Sequence, residues 1–309
     1  HYNSCKNPNC PECGSVDKEI WIHKQERFTL NVNYFHVVFT IPNELNVLCL
    51  IDPKFMYKVL FDISAETIKE LSKDKKYLGA KIGFTSVLHT WGQNLSLHPH
   101  IHMIVPGGGI DSNGKWKNSK KKFFLPVKVV SKLFKGKFLS YTKKNFDQRK
   151  IKDEEQFQNI INTCYSKDWV VYTKKPMKSA KHVVKYLGRY THRIAISNAR
   201  IKKYEDNKVT FSYKDYSDHN QIKEMTLDDT EFFRRYMMHV LPSNFMKIRH
   251  YGFLGNRNKE ERIKAVRTAT NTKNPGPLLI DYEQIISDIL KRDVSICIKC
   301  GQKRHYQLE

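Results

Sequence analysis

The segment at residues 98–102, with the sequence HPHIH, constrains the fold of this chain more than any other feature. Alternate side chains of a β-strand share one face of the sheet, so the three histidines point one way while Ile101 points the other. Imidazoles gathered on one face can hold a divalent cation, and histidine suits several transition metals. We therefore predict a strand with a metal site at His100 and His102. His98 is a weaker candidate because the proline that follows it disturbs the strand.

The strand before this segment adds polar side chains to the same face. We expect a four-residue turn at 94–97 to join the two strands. In that register Gln93 lies opposite His98. His89 then lies opposite His102. Because directly opposed residues of paired strands point to the same face, Gln93 and His89 lie on the histidine face. Either of them can complete the metal site; solvated histidines on a half-exposed sheet are the alternative interpretation.

Strands and helices interleave along the chain, which predicts the α+β class with antiparallel-compatible strands. Runs of β-branched and aromatic residues predict strands at 34–41, 84–93, 98–105, 169–173, 193–197 and 209–213. Apolar residues at helical spacing predict helices at 54–73, 132–146, 176–192 and 228–240. The stretch 123–130 is either a strand or the extended start of a helix, and 263–274 is a polar, basic segment.

Two tyrosines occur in a basic segment that we expect to be helical. Tyr186 and Tyr190 are four residues apart, so they share one face of a helix. Lys185, Arg189 and Arg193 flank them and suit contact with a phosphate backbone. A tyrosine can act as a covalent nucleophile, but a phenol with its usual pKa of about 10 needs a cation or a base nearby. Together with the metal strand the two phenols form a nicking site, whereas alone they are as readily core tyrosines.

The charge of the chain indicates a polyanionic partner. Its 309 residues include 54 Lys and Arg against 31 Asp and Glu, a formal net charge of +23. Such an excess favours nucleic acid, although a lysine-rich proteome gives the same balance. Apolar runs such as 47–51 are far shorter than the ~20 residues of a membrane helix, so we expect no membrane partner. No phosphate-binding loop of the Walker type is present, so we expect no nucleotide cofactor.

Seven cysteines, an odd number with short spacings, indicate metal-bound thiolates in an intracellular protein and not a disulfide framework. Structural zinc takes four nitrogen or sulfur ligands, and the chain has candidate ligands near both ends. We predict zinc at His1, Cys5, Cys10 and Cys13, and a second site at Cys297 and Cys300 that His305, an N-terminal residue or another chain completes. Because the chain does not begin with methionine, we expect residues upstream, which are an alternative source of zinc ligands.

An ordered series of motifs resembles one family of transposases. The matching stretches are 4–13 (SCKNPNCPEC), 89–93 (HTWGQ), 98–102 (HPHIH), 105–109 (VPGGG), 123–127 (FFLPV), 186–193 (YLGRYTHR), 195–198 (AISN), 213–216 (YKDY) and 248–254 (IRHYGFL). Over about residues 1–265 the chain resembles transposases of the insertion-sequence-91 family. These belong to the HUH class of single-strand nucleases, in the type with two tyrosines.

This resemblance implies an HUH nuclease fold, in which helices flank a central antiparallel sheet, with small zinc-binding appendages. It implies that His100 and His102 hold a Mg²⁺ or Mn²⁺ ion with a third ligand from a neighbouring element. Gln93 is our first expectation for that ligand, and His89 or His98 is the alternative. The regions we expect are a zinc-binding region (1–30), a nuclease domain (31–200), a family C-terminal part of the catalytic region (201–265) and a basic segment with the CxxC pair (266–309).

The reaction implied by the resemblance is rolling-circle-like transposition of one DNA strand. Tyr186 and Tyr190 become the paired nucleophiles, which form a 5′-phosphotyrosine link. Arg189 and Arg193 flank Tyr190, so we expect it to act first. The partners implied are single-stranded DNA of the transposon ends and of the target site, in the bacterial cytoplasm at the nucleoid, and an oligomer is compatible with this reading. The alternatives are a plasmid or phage replication initiator and a non-enzymatic, zinc-containing DNA-binding protein.

Overall fold

The computed structural model describes residues 14–119, 124–151, 153–173, 184, 188 and 195–303. The helices in this part are α1 (Gly14–Glu26), α2 (Asn46–Ile51), α3 (Pro53–Lys73), α4 (Val127–Asn145), α5 (Glu154–Ser166), α6 (Asp229–Met237), α7 (Lys259–Ala269) and α8 (Tyr282–Leu290). The strands are β1 (Tyr34–Thr40), β2 (Phe84–Trp91), β3 (Leu97–Pro106), β4 (Gly108–Ile110), β5 (Trp116–Asn118), β6 (Val171–Thr173), β7 (Ile201–Glu205), β8 (Lys208–Asp215), β9 (Gln221–Asp228) and β10 (Ile248–Tyr251). Within these residues, no helix has the length and apolar character needed to span a membrane.

Five strands form a central antiparallel sheet in the order β10-β2-β3-β1-β6. β1 has the sequence YFHVVFT, whose aromatic and β-branched side chains favour an extended backbone. Phe35, Phe39 and Ile101 are buried on one face of the sheet, where they belong to the main core. The helices α3 and α4 cover that face. The opposite face carries the alternating histidines of β3.

The long helix α3 begins at a favourable start signal and buries one side. Pro53 is its first residue, and the Asp52 carboxylate accepts a hydrogen bond from the Phe55 N–H at 3.0 Å. Leu60 and Ile68 are fully buried in the main core. The helix therefore stabilises the sheet from the side away from the histidines.

A second, three-stranded antiparallel sheet consists of β7, β8 and β9. Its buried side chains Val209 and Phe211, with Phe232 of α6, share one hydrophobic cluster with Trp91 and Leu95 at the end of β2. The second sheet is therefore attached beside the turn that joins the two histidine-bearing strands. After α6 the chain returns to the central sheet, where β10 pairs with β2.

The α+β class and the central antiparallel sheet flanked by helices are confirmed. One prediction of local structure needs correction in its described part. Residues 195–197 are irregular and not a strand, since Ala195 has a left-handed φ of 38°. Of the two possibilities for 123–130, the extended start of a helix is confirmed in the described residues, because α4 begins at Val127. Residues 263–269 of the polar, basic segment belong to α7.

Candidate metal and nucleic-acid site

The two histidine-bearing strands pair in a register that differs by two residues from the predicted one. His89 lies opposite His100 and not opposite His102. The turn closes earlier than expected, with the Gly92 N–H donating to the Ser96 carbonyl oxygen at 2.8 Å, and the register shifts again just before it. A shift of two residues preserves the face to which each side chain points, so the histidines still share one face.

Three imidazole nitrogens converge on this face. His89 Nδ1 lies 3.0 Å from His100 Nε2, and His100 Nε2 lies 3.1 Å from His102 Nε2. All three ligand atoms lie within 4.8 Å of one another. Nitrogens bound tetrahedrally to one ion at about 2.1 Å stand roughly 3.4 Å apart. The three side chains therefore fit a shared divalent ion after small movements.

The remote nitrogens of two of these rings have fixed partners. His100 Nδ1 lies 2.6 Å from the carbonyl oxygen of His98, so it donates, and the neutral ring then presents an unprotonated Nε2 to the site. His102 Nδ1 lies 2.8 Å from Nε2 of the buried His36, and the two rings stack with their centroids 5.0 Å apart. Histidine ligands usually have such partners, which fix the tautomer and the orientation of the ring.

Burial keeps the imidazoles of His89 and His100 neutral. It lowers the pKa of His100 to about 3. It also lowers the pKa of His89 well below its usual value, and the charges of His100, His102 and Lys247 add to that effect. The Lys247 amine lies 5.0 Å from the centre of the Trp91 ring, and burial lowers its pKa to about 7. At neutral pH the imidazole lone pairs are therefore available to a metal ion.

The other two candidate ligands have different surroundings. Gln93 lines the same cavity as the histidines, and its side-chain Nε2 donates to the Tyr216 hydroxyl at 3.4 Å. The His98 side chain is exposed, its carbonyl oxygen contacts His100 Nδ1, and its ring centroid lies 5.0 Å from that of His100. His89, the second choice of the sequence prediction, has a ring nitrogen 3.0 Å from His100 Nε2.

The histidines line an open cavity of about 690 Å³. Its walls come from the ends of β1, β2 and β3, from residues 195–200 and from the turn between β8 and β9. Arg200 connects two of these walls, because its guanidinium donates to the Ser212 carbonyl oxygen at 2.7 Å and to the Gln93 carbonyl oxygen. A volume in the range of roughly 300–1,000 Å³ is typical of ligand sites.

The sequence prediction missed His36, Arg200 and Lys247. His36 had a signal, since strand parity in β1 places it on one face with Val38, but its partner depends on the β1–β3 register. Arg200 and Lys247 follow no pattern that assigns them to the site. They reach it through the second sheet and through the chain just before β10, which are long-range arrangements.

The tyrosine segment lies almost entirely outside the described residues. This holds for Lys185, Tyr186, Arg189, Tyr190 and Arg193, as it does for the N-terminal zinc candidates His1, Cys5, Cys10 and Cys13 and for His305. Val184 and Gly188 are described and are helical, as predicted for 176–192. Val184 is buried and shares a small cavity with Ile104, which lies on the histidine face of β3. Val184 therefore borders a cavity on the face that carries the histidines.

The C-terminal cysteine pair lies in a tight turn. The Gly301 N–H donates to the Cys297 carbonyl oxygen at 2.8 Å, and Gly301 has a left-handed φ of 70°. Cys300 is exposed. The preceding helix α8 contacts α1, the helix that directly follows the N-terminal cysteines. This turn can present two thiolates at the spacing that zinc sites use.

A central antiparallel sheet flanked by helices, with alternating histidines converging on one face, is the fold of the HUH class of nucleases. Two family models match the chain: one described as "Putative transposase" at residues 83–262, and one described as "Transposase zinc-binding domain" at residues 1–41. No solved structure matches the chain significantly.

Two curated proteins are similar over nearly the whole chain. "Putative transposase y4qJ" of Sinorhizobium fredii (strain NBRC 101917 / NGR234) is 38% identical over 322 residues, which cover 100% of this chain and 81% of that protein. "Transposase for insertion sequence element IS801" of Pseudomonas savastanoi pv. phaseolicola is 29% identical over 310 residues, which cover 98% and 74%. The chain therefore belongs to the insertion-sequence-91 family of transposases, as its motifs predicted. Its role is in DNA transposition and recombination, and it contains a zinc-binding domain.

Proposed function

We propose that the protein nicks and rejoins single-stranded DNA at the ends of an insertion sequence and at the target site, through a 5′-phosphotyrosine intermediate. This chemistry drives rolling-circle-like transposition. The observation that carries the proposal is the convergence of His89, His100 and His102 on one face of the central sheet. The family supplies the substrate class, DNA, and the net charge of +23 suits a phosphate backbone.

The proposed metal ligands are His89, His100 and His102. His89 replaces Gln93 as the third ligand in our proposal because its Nδ1 lies 3.0 Å from His100 Nε2. A divalent ion held there neutralises charge on the scissile phosphate. An all-imidazole set suits Mn²⁺ better than Mg²⁺, since Mg²⁺ prefers oxygen ligands. Gln93 keeps its amide on the cavity wall, where it is available to the DNA.

The proposed nucleophiles are Tyr186 and Tyr190. Their support in the structure is Val184, a helical residue of the same segment that lines a small cavity with Ile104 of the histidine face. A phenolic oxygen forms a bond to phosphorus while the bond between phosphorus and the 3′ oxygen breaks, and the phenolic proton is matched by the proton of the released 3′ hydroxyl. One phosphoester bond replaces another, so rejoining needs no ATP.

The cationic side chains around the tyrosines have two proposed roles. Arg189 and Arg193 flank Tyr190 in sequence and favour its tyrosinate, which is why we propose Tyr190 as the first nucleophile. Lys185, with the same arginines, contacts the phosphate backbone of the bound strand. Two tyrosines allow two strand ends to be held in turn.

The proposed role of zinc is structural. Residues 1–41 match a zinc-binding domain, and we propose His1, Cys5, Cys10 and Cys13 as ligands within it. Cys297 and Cys300 are proposed as ligands of a second site, based on the tight turn in which they lie. Elemental analysis of the purified protein is expected to show at least one zinc per chain.

The boundaries at 30, 200 and 265 remain our proposal for the organisation of the chain. The part after residue 200 provides a strand of the central sheet, since β10 pairs with β2. A transposase works where DNA is, so we propose that the protein acts in the bacterial cytoplasm at the nucleoid, with transposon ends and target DNA as its partners.

The test is a strand-transfer assay with single-stranded oligonucleotides taken from the ends of the element that encodes the protein. With a label at the 3′ end, wild-type protein in Mn²⁺ is expected to become labelled, because a 5′-phosphotyrosine link retains the downstream fragment. His100→Ala and His102→Ala are expected to bind the oligonucleotide and leave it intact. Label transfer from the 5′ end instead, or full cleavage by either variant, contradicts the proposal.

A further inference from the structure

The motif at 213–216 (YKDY) lies in the wall of the metal cavity, yet the proposed nicking chemistry gives it no role. It forms the end of β8 and the first residue of the turn to β9. Tyr213 and Tyr216 both line the cavity of about 690 Å³ that also contains His100 and His102. This turn therefore faces the space in which the scissile phosphate has to lie.

The turn is exposed, but its own side chains and Lys223 form a hydrogen-bond network around Asp215. The Asp215 carboxylate accepts hydrogen bonds from the Ser217 N–H at 3.0 Å, from the Ser217 hydroxyl at 2.6 Å and from the Lys223 ammonium at 2.9 Å. The same ammonium lies 2.8 Å from the Asp218 carboxylate. The hydrogen bonds from Ser217 and Lys223 hold the pKa of Asp215 well below its usual range. The carboxylate is therefore ionised at neutral pH and keeps these hydrogen bonds. A loop fixed in this way is preorganised for binding.

The turn is also fastened to the strands that carry the histidines. Arg200 donates to the Ser212 carbonyl oxygen on β8 and to the Gln93 carbonyl oxygen just after β2. Gln93 Nε2 donates to the Tyr216 hydroxyl at 3.4 Å. The backbone of the β8–β9 turn is therefore linked through Arg200 to the chain that follows β2, and Tyr216 adds one longer contact through its hydroxyl.

Tyr216 itself is not a core residue. Its side chain is 68% exposed, and the Lys214 ammonium lies 5.7 Å from the centre of its ring. An exposed aromatic ring beside a cation is the combination with which proteins bind single-stranded nucleic acid, because every base has a face that can stack. We propose that Tyr216 is a stacking platform for the nucleobase next to the scissile phosphate of the bound single strand.

This inference rests on the proposed nicking function, and it adds the residue that positions the strand. A base stacked on Tyr216 places its own phosphate towards the histidines across the same cavity. The Gln93 amide lies against the Tyr216 hydroxyl, where it can contact the edge of the stacked base. A duplex does not satisfy this arrangement, since its bases are already stacked on one another. The site therefore selects single-stranded DNA.

The experiment uses a thymidine oligonucleotide of about 20 nucleotides in which 5-iododeoxyuridine replaces thymidine, since stacking tolerates any base. Irradiation of the complex is expected to attach it to the tryptic peptide 215–223 (DYSDHNQIK), at Tyr216 and not at His219, the other ring of that peptide. Tyr216→Ala is expected to abolish that product and to weaken binding by about fivefold to a hundredfold. Tyr216→Phe keeps the ring and is expected to bind within about twofold of wild type.

The matched control is Tyr204→Ala. Tyr204 is 64% exposed on β7 of the same sheet, it is not among the cavity-lining residues, and its tryptic peptide is 204–208 (YEDNK). We expect no crosslink to that peptide and no change in affinity.

If wild-type protein binds the oligonucleotide but Tyr216→Ala binds it equally well, or if Tyr216→Phe loses as much as Tyr216→Ala, the inference about Tyr216 is wrong while the proposed function stands. If wild-type protein does not prefer the single strand to a duplex of the same length, both are wrong.

Discussion

The Nε2 atom of His36 lies 2.8 Å from the Nδ1 atom of His102, so a buried histidine on β1 holds a proposed metal ligand on β3. The other ring nitrogen of His102, Nε2, faces the metal site and lies 3.1 Å from Nε2 of His100. One nitrogen of His102 is thus directed to the metal site, and the other is directed away from it. The relation gives His36 a role that requires no contact with DNA or with the ion.

We expect His36→Phe to weaken Mn²⁺ binding by about 10- to 100-fold, as is usual when the hydrogen-bond partner of a histidine ligand is lost. Phenylalanine fills the same space and keeps the stacking on His102, so the fold is expected to persist. Calorimetric titration with Mn²⁺ measures the change. His98→Ala is the control: its exposed ring is not one of the three converging imidazoles, and the carbonyl oxygen that contacts His100 remains, so the affinity is expected to match wild type. An unchanged affinity in His36→Phe would show that this pair does not tune the site.

His89 and Gln93 can be distinguished as third ligand by the same titration. His89→Ala is expected to lose more than about a hundredfold in Mn²⁺ affinity, because a ligand costs more than its hydrogen-bond partner. Gln93→Ala is expected to lose less than about tenfold, since its amide contacts Tyr216. The reverse order would restore Gln93 to the position that the sequence first suggested.

Gly252, within the motif at 248–254, has a backbone requirement that any other residue violates. Its φ is 61°, and a Cβ atom there would lie 1.8 Å from the Ile82 carbonyl oxygen. We expect Gly252→Ala to reduce the free energy of unfolding by at least about 2 kcal/mol. Gly136 is the matched control, because it lies inside α4 and a Cβ atom there would have no atom of the described residues within 4 Å, apart from the adjacent backbone. Gly136→Ala is expected to stabilise by roughly 0.5–1 kcal/mol, and urea unfolding measures both. Equal effects of the two changes would contradict this account of Gly252.

The metal-free protein is expected to lose stability in mild acid. Burial lowers the pKa of His239 to about 4, below the usual value of 6.5. The unfolded chain therefore takes up a proton first, so the stability from this group is complete above about pH 6.5 and is lost as the pH falls towards about 4. We expect a slope of up to about 1.4 kcal/mol per pH unit for this group, measured by urea unfolding with a chelator present. His239→Gln removes the titrating ring, and its slope is expected to be smaller; an identical slope would contradict the assignment.

The alternation of histidines in 98–102 was sufficient to predict a strand and the face that the imidazoles share. The order of the third-ligand candidates was not predictable, because it depends on the register. The turn closes at Gly92 and Ser96, and the strand pairing shifts once more between His89 and Trp91, just before the turn. Local hydrogen bonds decide both, and the pattern of residue types does not record them.

The second sheet was only partly predictable for a different reason. The strand β8 buries Val209 and Phe211, and its apolar alternation was visible. Every residue of β7 is exposed, and no residue of β9 is fully buried, so both strands are mostly polar and their sequences resemble those of loops. The contact of Arg200 with Gln93 joins residues that are far apart in the chain, and only the folded arrangement brings them together.

The central claim is that a tyrosine of this chain attacks DNA at a phosphate held beside the histidines. The most direct measurement is mass spectrometry of the covalent product trapped with a single-stranded oligonucleotide from the element end. We expect the DNA on Tyr190 in wild-type protein, on Tyr186 when Tyr190→Phe removes the first phenol, and on neither in the double Tyr→Phe variant. The rings remain in these variants, so little packing is lost. DNA attached to any residue other than Tyr186 and Tyr190, or an adduct that survives the double change, would contradict the account.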